Sequence, residues 1–139
     1  MNRLLLKLTM MVMVGGQLYP TLAATQESPP TKKAARVRIV QGPKIERIDP
    51  DFAIIKWASN NPGGSPVHFG VVRYGTGPKN LSQTAQSPIR LNPGHSYTVF
   101  RVRMQGLRPR TTYYYTVYST EANGKADGVK SAVEHFTTP

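Results

Sequence analysis

Leu107-Arg108-Pro109-Arg110-Thr111-Thr112-Tyr113 decides the fold. It places an apolar plug ahead of a proline-fixed turn, and then a tyrosine that enters a strand whose alternate positions continue as Tyr115 and Val117. This order resembles a tyrosine corner. In that device the ring is buried and the hydroxyl satisfies a backbone group a few residues upstream, clamping a crossover between two sheets.

Working outward, short runs alternate apolar and polar residues and are rich in Val, Ile, Thr, Tyr and Phe, the pattern of half-buried strands. Strands are expected at Pro43–Ile48, Phe52–Ser59, Val67–Tyr74, Leu81–Ala85, Tyr97–Met104, Thr112–Ser119 and Val133–Thr137. Asp49-Pro50-Asp51, Asn60 through Pro66, Gly75-Thr76-Gly77-Pro78, Asn92-Pro93-Gly94 and Asn123-Gly124 separate them with turn chemistry. Seven short strands with frequent turns and no internal repeat predict one all-β, seven-stranded antiparallel sandwich.

Period two also assigns faces. The inward sets are Ala53, Ile55 and Trp57; Gly70, Val72 and Tyr74; Phe100, Val102 and Met104; and Tyr113, Tyr115 and Val117. The loop from Asn60 to Pro66 is long for its position, which leaves the register of Val67–Tyr74 open.

Trp57 on the second strand, Tyr74 on the third and the Leu107, Pro109 and Tyr113 corner together resemble the fibronectin type III family, an immunoglobulin-like sandwich, from about Gly42 to Pro139. Val72-Arg73-Tyr74-Gly75-Thr76, Asn80-Leu81-Ser82, Gly106 through Tyr115 and the closing Phe136-Thr137-Thr138-Pro139 look most similar to the amino-terminal domain of purple acid phosphatases and to like modules of secreted bacterial proteins. In those enzymes, the resemblance implies, the module precedes a metallophosphoesterase domain whose Asp, Asn and His ligands hold two metals. This sequence stops at Pro139 and is read as lacking that half.

Residues 1–24 read as a secretory signal peptide: Arg3 and Lys7, an apolar run to Tyr19, and small residues ending at Ala23-Ala24. A membrane anchor is the rival reading, but spanning needs roughly 20 apolar residues, and Gly15, Gly16 and Gln17 interrupt the run. Residues 25–41 read as a flexible lead-in and 42–139 as the domain. The expected location is therefore secreted or periplasmic, and not membrane-spanning. The absence of cysteine removes any disulfide framework, so the core alone must hold the domain.

The chain carries 18 Lys and Arg against 7 Asp and Glu, a formal charge of +11. Removing Arg3 and Lys7 leaves a large cationic excess. It favours anionic partners through attraction that salt screens, and serves equally well as a solubilising surface.

No catalytic residue, cofactor or metal is assigned. Two bridged metals need several close carboxylate and imidazole ligands. Past the leader the sequence offers Asp49, Asp51, Asp127, Glu27, Glu46, Glu121 and Glu134, with His68, His95 and His135 in separate segments. Those histidines are expected to be ordinary surface or partly buried residues. Asn80-Leu81-Ser82 is a formal glycosylation acceptor, best read as chance beside a bacterial resemblance.

The candidate binding face is the outward side of the third and sixth strands, where alternation sets Phe69, Val71 and Arg73 beside Tyr114, Thr116 and Tyr118. Tyr and Arg of this kind centre protein interfaces or stack on sugar rings, and aromatics also stabilise exposed sheets by cross-strand pairing, or lie under a folded-back tail. Lys56, Arg101 and Arg103 form a basic group on the opposite outer face, extended by Arg108 and Arg110; lacking aromatics, it disfavours nucleic acid. The function expected is a non-catalytic module, a monomer that binds a protein or an anionic glycan. The alternative is an accessory domain that docks on a separately encoded hydrolase such as a metallophosphatase.

Overall fold

The computed structural model describes residues 32–139; the expected signal peptide and the first residues of the lead-in lie outside them. Seven strands follow in order: β1 (Ile39–Ile48), β2 (Phe52–Asn60), β3 (Val67–Gly75), β4 (Gln83–Arg90), β5 (Tyr97–Gln105), β6 (Thr112–Glu121) and β7 (Glu134–Thr137). They form a three-stranded sheet ordered β1-β2-β5 and a four-stranded sheet ordered β4-β3-β6-β7, with every strand pair antiparallel. The chain changes sheet between β2 and β3, between β4 and β5, and between β5 and β6, so the two inner faces must close on each other. Among the described residues no helix is long and apolar enough to cross a membrane.

The inner faces carry the inward sets that alternation assigns. Ala53, Ile55, Trp57, Val72, Tyr74, Phe100, Val102, Met104, Tyr113, Tyr115 and Val117 make one core with Leu107 and Phe136. Trp57 stacks on Phe100 with ring centroids 5.2 Å apart. Gly70 faces them from the other sheet, where an added Cβ would lie 3.0 Å from the Phe100 ring and 3.1 Å from the Trp57 ring. A side chain there would have to displace both rings, so the glycine sets the spacing of the sheets around the indole.

Crossing from β5 to β6, Leu107 is buried and its N–H bonds to the Asp51 carbonyl at 2.9 Å. Pro109 is exposed on the turn. The Tyr113 ring is buried, stacked on Phe136 and edge-on to Tyr74, and its hydroxyl accepts the Arg108 N–H at 2.9 Å. Tyr113→Phe deletes that acceptor and strands the N–H in a half-covered corner. It is expected to lower stability by about 1–3 kcal/mol, the cost of an unmet buried donor, read as a shift in the urea midpoint with unchanged slope. A variant that unfolds with the parent would show that the clamp contributes nothing.

Two strand boundaries differ from expectation by four residues or more, for reasons of edge geometry, and the others by no more than two. β4 runs on to Arg90 and not to Ala85, through Pro88. It is the outermost strand of its sheet, so a proline there costs no ladder bond on the open side. β1 begins four residues before Pro43, because register shifts between Ile39 and Gln41, and between Gln41 and Lys44, carry Gly42 and Pro43 as bulged positions within an edge strand.

Residues 32–41, expected as part of a flexible lead-in, lie against the sandwich. Val37 is buried and forms a parallel bridge to Gly128. A Cβ on Gly128 would fall 2.3 Å from the Val37 carbonyl oxygen, so this approach needs a glycine. Asn60 holds the same segment from the other side, accepting the Arg38 N–H at 2.7 Å and donating to the Arg36 carbonyl at 2.8 Å.

Candidate functional site

Pairing in the four-stranded sheet builds the outward strip row by row. Phe69 lies between Pro88 and Thr120, Val71 between Gln86 and Tyr118, and Arg73 between Thr84 and Thr116, while Tyr114 sits between Gly75 and His135. Phe69, Arg73, Tyr114 and Tyr118 are each half-buried. Val71 is a correction to the sequence reading: it is only 3% exposed. A short branched side chain flanked on four sides by Phe69, Arg73, Gln86 and Tyr118 is shaded by them and presents nothing to a ligand.

The polar ends of the strip are already engaged. Arg73 directs Nε and Nη2 to the Leu81 carbonyl at 3.1 and 2.8 Å, which fixes its guanidinium plane against the edge of the sheet. The Lys130 ammonium lies 4.9 Å from the Tyr118 ring centroid, and Tyr114 leans on His135 at 5.7 Å. These contacts restrict the rotamers of Arg73, Tyr114 and Tyr118. Beneath it Tyr115 is buried, and loss of solvent together with the nearby Glu134 charge pushes its phenol up to about 12.

On the other outer face, the basic group differs from its reading in two ways. Lys56 and Arg101 both pair with Glu46, at 3.7 and 2.9 Å, so much of their charge is met locally. The group does have an aromatic: the Arg103 guanidinium lies 3.6 Å from the Phe52 ring centroid, with Arg47 at 5.2 Å on the same ring. Phe52 pairs with Gln105 and Ile54 with Arg103, which puts both aromatic and cation on one outward row.

His68 corrects the expectation of ordinary surface or partly buried histidines. It is completely buried, on the inward side of β3 with Gly70 and Val72. Its Nδ1 is 2.6 Å from Asp127 Oδ2 and its Nε2 3.1 Å from the Gly63 carbonyl oxygen, so both acceptors are met only when both ring nitrogens carry protons. The Lys33 ammonium bridges Asp127 and Glu121, 2.9 Å from the latter. Burial works to raise the Asp127 carboxyl, but hydrogen bonds and charge from His68 and Lys33 outweigh it and hold the group below its ordinary value. The partners lie 94 and 59 positions from Asp127, a separation at which no local sequence signal exists. His95 and His135 are exposed, and among the described residues no three His, Cys, Asp or Glu side chains converge in the manner of a metal centre.

The sequence reading also passed over the most exposed large apolar side chains. Val40 and Tyr97 stand beside a shallow concavity of about 600 Å³, and Val129 and Val133 flank the approach to β7. Tyr97 has the same parity as Arg101 and Arg103, the signal that would have placed it outward.

The family described as purple acid phosphatase, N-terminal domain, matches residues 44–138. The chain belongs to that family. The purple acid phosphatase N-terminal domain thus takes in everything from within β1 to the last residue but one, including both sheets and the Tyr113 corner. It is the non-catalytic part of those enzymes, and no catalytic activity is indicated. Two solved structures of the sensor domain of the anti-sigma factor RsgI4 in Pseudobacteroides cellulosolvens are similar to the chain. One has a TM-score of 0.49 and 18% identity over 73% of this chain and 88% of that one; the other has 0.48 and 15% over 74% of each. No curated protein matches the chain.

Proposed function

We propose that this N-terminal-type domain is an exported, non-catalytic binding module of fibronectin type III-like architecture. It engages a protein or an anionic glycan through the strip formed by Phe69, Arg73, Tyr114 and Tyr118. The strand orders β1-β2-β5 and β4-β3-β6-β7 support the architecture. The observation that carries the binding role is the fixation of the strip. Of these four half-buried side chains, Arg73, Tyr118 and Tyr114 are held in place by Leu81, Lys130 and His135 respectively, with no buried side-chain polar atom left unpaired among the described residues. Rigid Tyr and Arg side chains give up little rotamer freedom on binding, and such residues dominate interface energetics.

The test is affinity capture from the cell envelope and the medium at low and high salt, with the wild-type domain beside a Tyr114→Ala, Tyr118→Ala double variant. A partner retained at high salt and lost in the variant is expected, with affinity lower by at least tenfold, since central aromatic anchors contribute about 2 kcal/mol or more. If everything captured washes off in salt, only long-range charge is at work and the strip is not a binding face.

A second reading is favoured by the family match itself, which is to the part of an enzyme that adjoins a catalytic domain. On this reading the module docks on a separately encoded hydrolase such as a metallophosphatase. The same capture separates the two: a stoichiometric hydrolase in the salt-resistant fraction supports docking, and a glycan or an envelope protein supports the first reading.

A further inference from the structure

We infer that the domain has a second binding site, a cationic cleft between the start of β1 and residues 129–132, that takes an acidic polysaccharide through its carboxylates. The inference rests on the binding-module reading, and its cleft shares only Lys130 with the surroundings of the strip. The cleft has a volume of about 410 Å³ and is lined by Arg36, Arg38 and Lys130, with Pro43 and Val129 in its walls and Glu134 as the acidic residue among its lining.

Local structure explains why the cations converge. Val37 is buried against Gly128, and in an extended segment the residues on either side of it, Arg36 and Arg38, project together to the opposite side. The Asn60 side chain clamps the main chain of both. The facing wall is equally fixed: the Ser131 N–H bonds to the Val117 carbonyl at 2.9 Å, its Oγ accepts the Val117 N–H at 3.0 Å, and its carbonyl accepts the Thr116 hydroxyl at 2.8 Å. Lys130, next to that anchor, is therefore held at the rim.

The cations of the cleft are in no ion pair among the described residues. Among the described residues Lys33, Arg47, Lys56, Arg101 and His68 are the groups in ion pairs, and Arg36, Arg38 and Lys130 have no carboxylate partner. Cations of one sign in a concave site focus the field and attract anions, and arginine offers a carboxylate a two-point contact. Lys130 also lies over Tyr118, so a chain seated in the cleft would continue onto the aromatic strip.

The identity of the wall selects the occupant. An acidic peptide would bind such a place as an added strand, by backbone hydrogen bonds to the open edge of β1. That edge is bulged, and Pro43, which lines the cleft, has no N–H to offer. A lipid surface is flat or convex, whereas these cations sit in a depression. A linear polymer bearing one carboxylate per sugar fits a groove read by side-chain cations alone.

The probe is polygalacturonate, titrated against the full chain at moderate salt. Arg36→Gln, Arg38→Gln and Lys130→Gln together are expected to weaken binding about tenfold, as three partly exposed ion pairs would. Removing the same charge elsewhere, by Lys79→Gln, Arg90→Gln and Lys125→Gln, is expected to weaken it by no more than about twofold. The cleft is overturned if the two triple variants lose binding equally, if the wild-type chain does not bind polygalacturonate, or if vesicles of anionic phospholipid are bound in its place. A Tyr114→Ala variant, which leaves Tyr118 and the Lys130 seated on it untouched, keeps the two ideas apart. A partner lost in that variant while the triple variants behave alike leaves the strip and removes the cleft. A partner indifferent to it, with triple variants that differ tenfold, leaves the cleft and removes the strip.

Discussion

Trp57→Ala is expected to lower the stability of the domain by about 3–5 kcal/mol, the usual cost of deleting a large aromatic from a core. Against a total of roughly 5–15 kcal/mol for a domain of this kind, that loss brings the protein close to unfolding at ambient temperature. The indole is 2% exposed, stacked on Phe100, and faced at close range by Gly70. Gly70, which faces the indole, has no side chain to fill the space, and the hydrogen-bonded β2–β5 ladder ties the backbones of Trp57 and Phe100 together. Trp57→Phe fills part of the cavity and is expected to recover part of the loss. Urea titration of the three proteins checks this; coincident midpoints for Trp57→Ala and the parent would remove the indole from the core.

Asp127→Ala is expected to cost about 3 kcal/mol, near the lower end for removing one partner of a buried charge pair because Lys33 keeps some contact with solvent. The side chain of Asp127 is buried between His68 and Lys33. Its loss leaves the His68 Nδ1 without its carboxylate partner and releases Lys33 from one of its two carboxylates. Asp127→Asn tests the charge separately from the shape. The folded carboxyl is held below its ordinary value of 3.8, so it binds a proton less readily than the unfolded one. Its contribution is therefore complete above the unfolded pKa and is lost as the pH falls through the lower folded value. Urea midpoints of the wild type and Asp127→Asn should differ at neutral pH and draw together on the acid side. A gap that stays constant down to the lowest pH would mean that the carboxylate charge is not what stabilises the cluster.

The fold class was legible because its signals are local. Alternation in Phe52–Ser59 and Tyr97–Met104 assigns a face to every residue whatever the partner strand, and turn residues punctuate the runs. The inner-face residues of β2, β3, β5 and β6 accordingly coincide with those that alternation picks out. Boundaries failed at β1 and β4 because a proline stops a strand only where its missing N–H would face a hydrogen-bonded neighbour, and whether a strand has an open side is a property of the assembled sheet.

The sites were less legible. Phe69, Arg73, Tyr114 and Tyr118 share a face by parity alone, yet the shading of Val71 by Gln86 and the seating of Lys130 on Tyr118 depend on which strands become neighbours. His68 looked like one more isolated histidine. It is buried and paired only because the turn after β6 brings Asp127 back against β3, and because the segment carrying Lys33 crosses the end of the sandwich. The cleft likewise needs residues 36–38 to lie beside residue 128.

By itself the sequence determined the all-β class, the strand faces and the cationic balance, since these follow from a two-residue period and from composition. Tertiary structure alone decided which cations are spent in ion pairs, which histidine is buried and which aromatics remain exposed, because each of those depends on contacts between residues tens of positions apart.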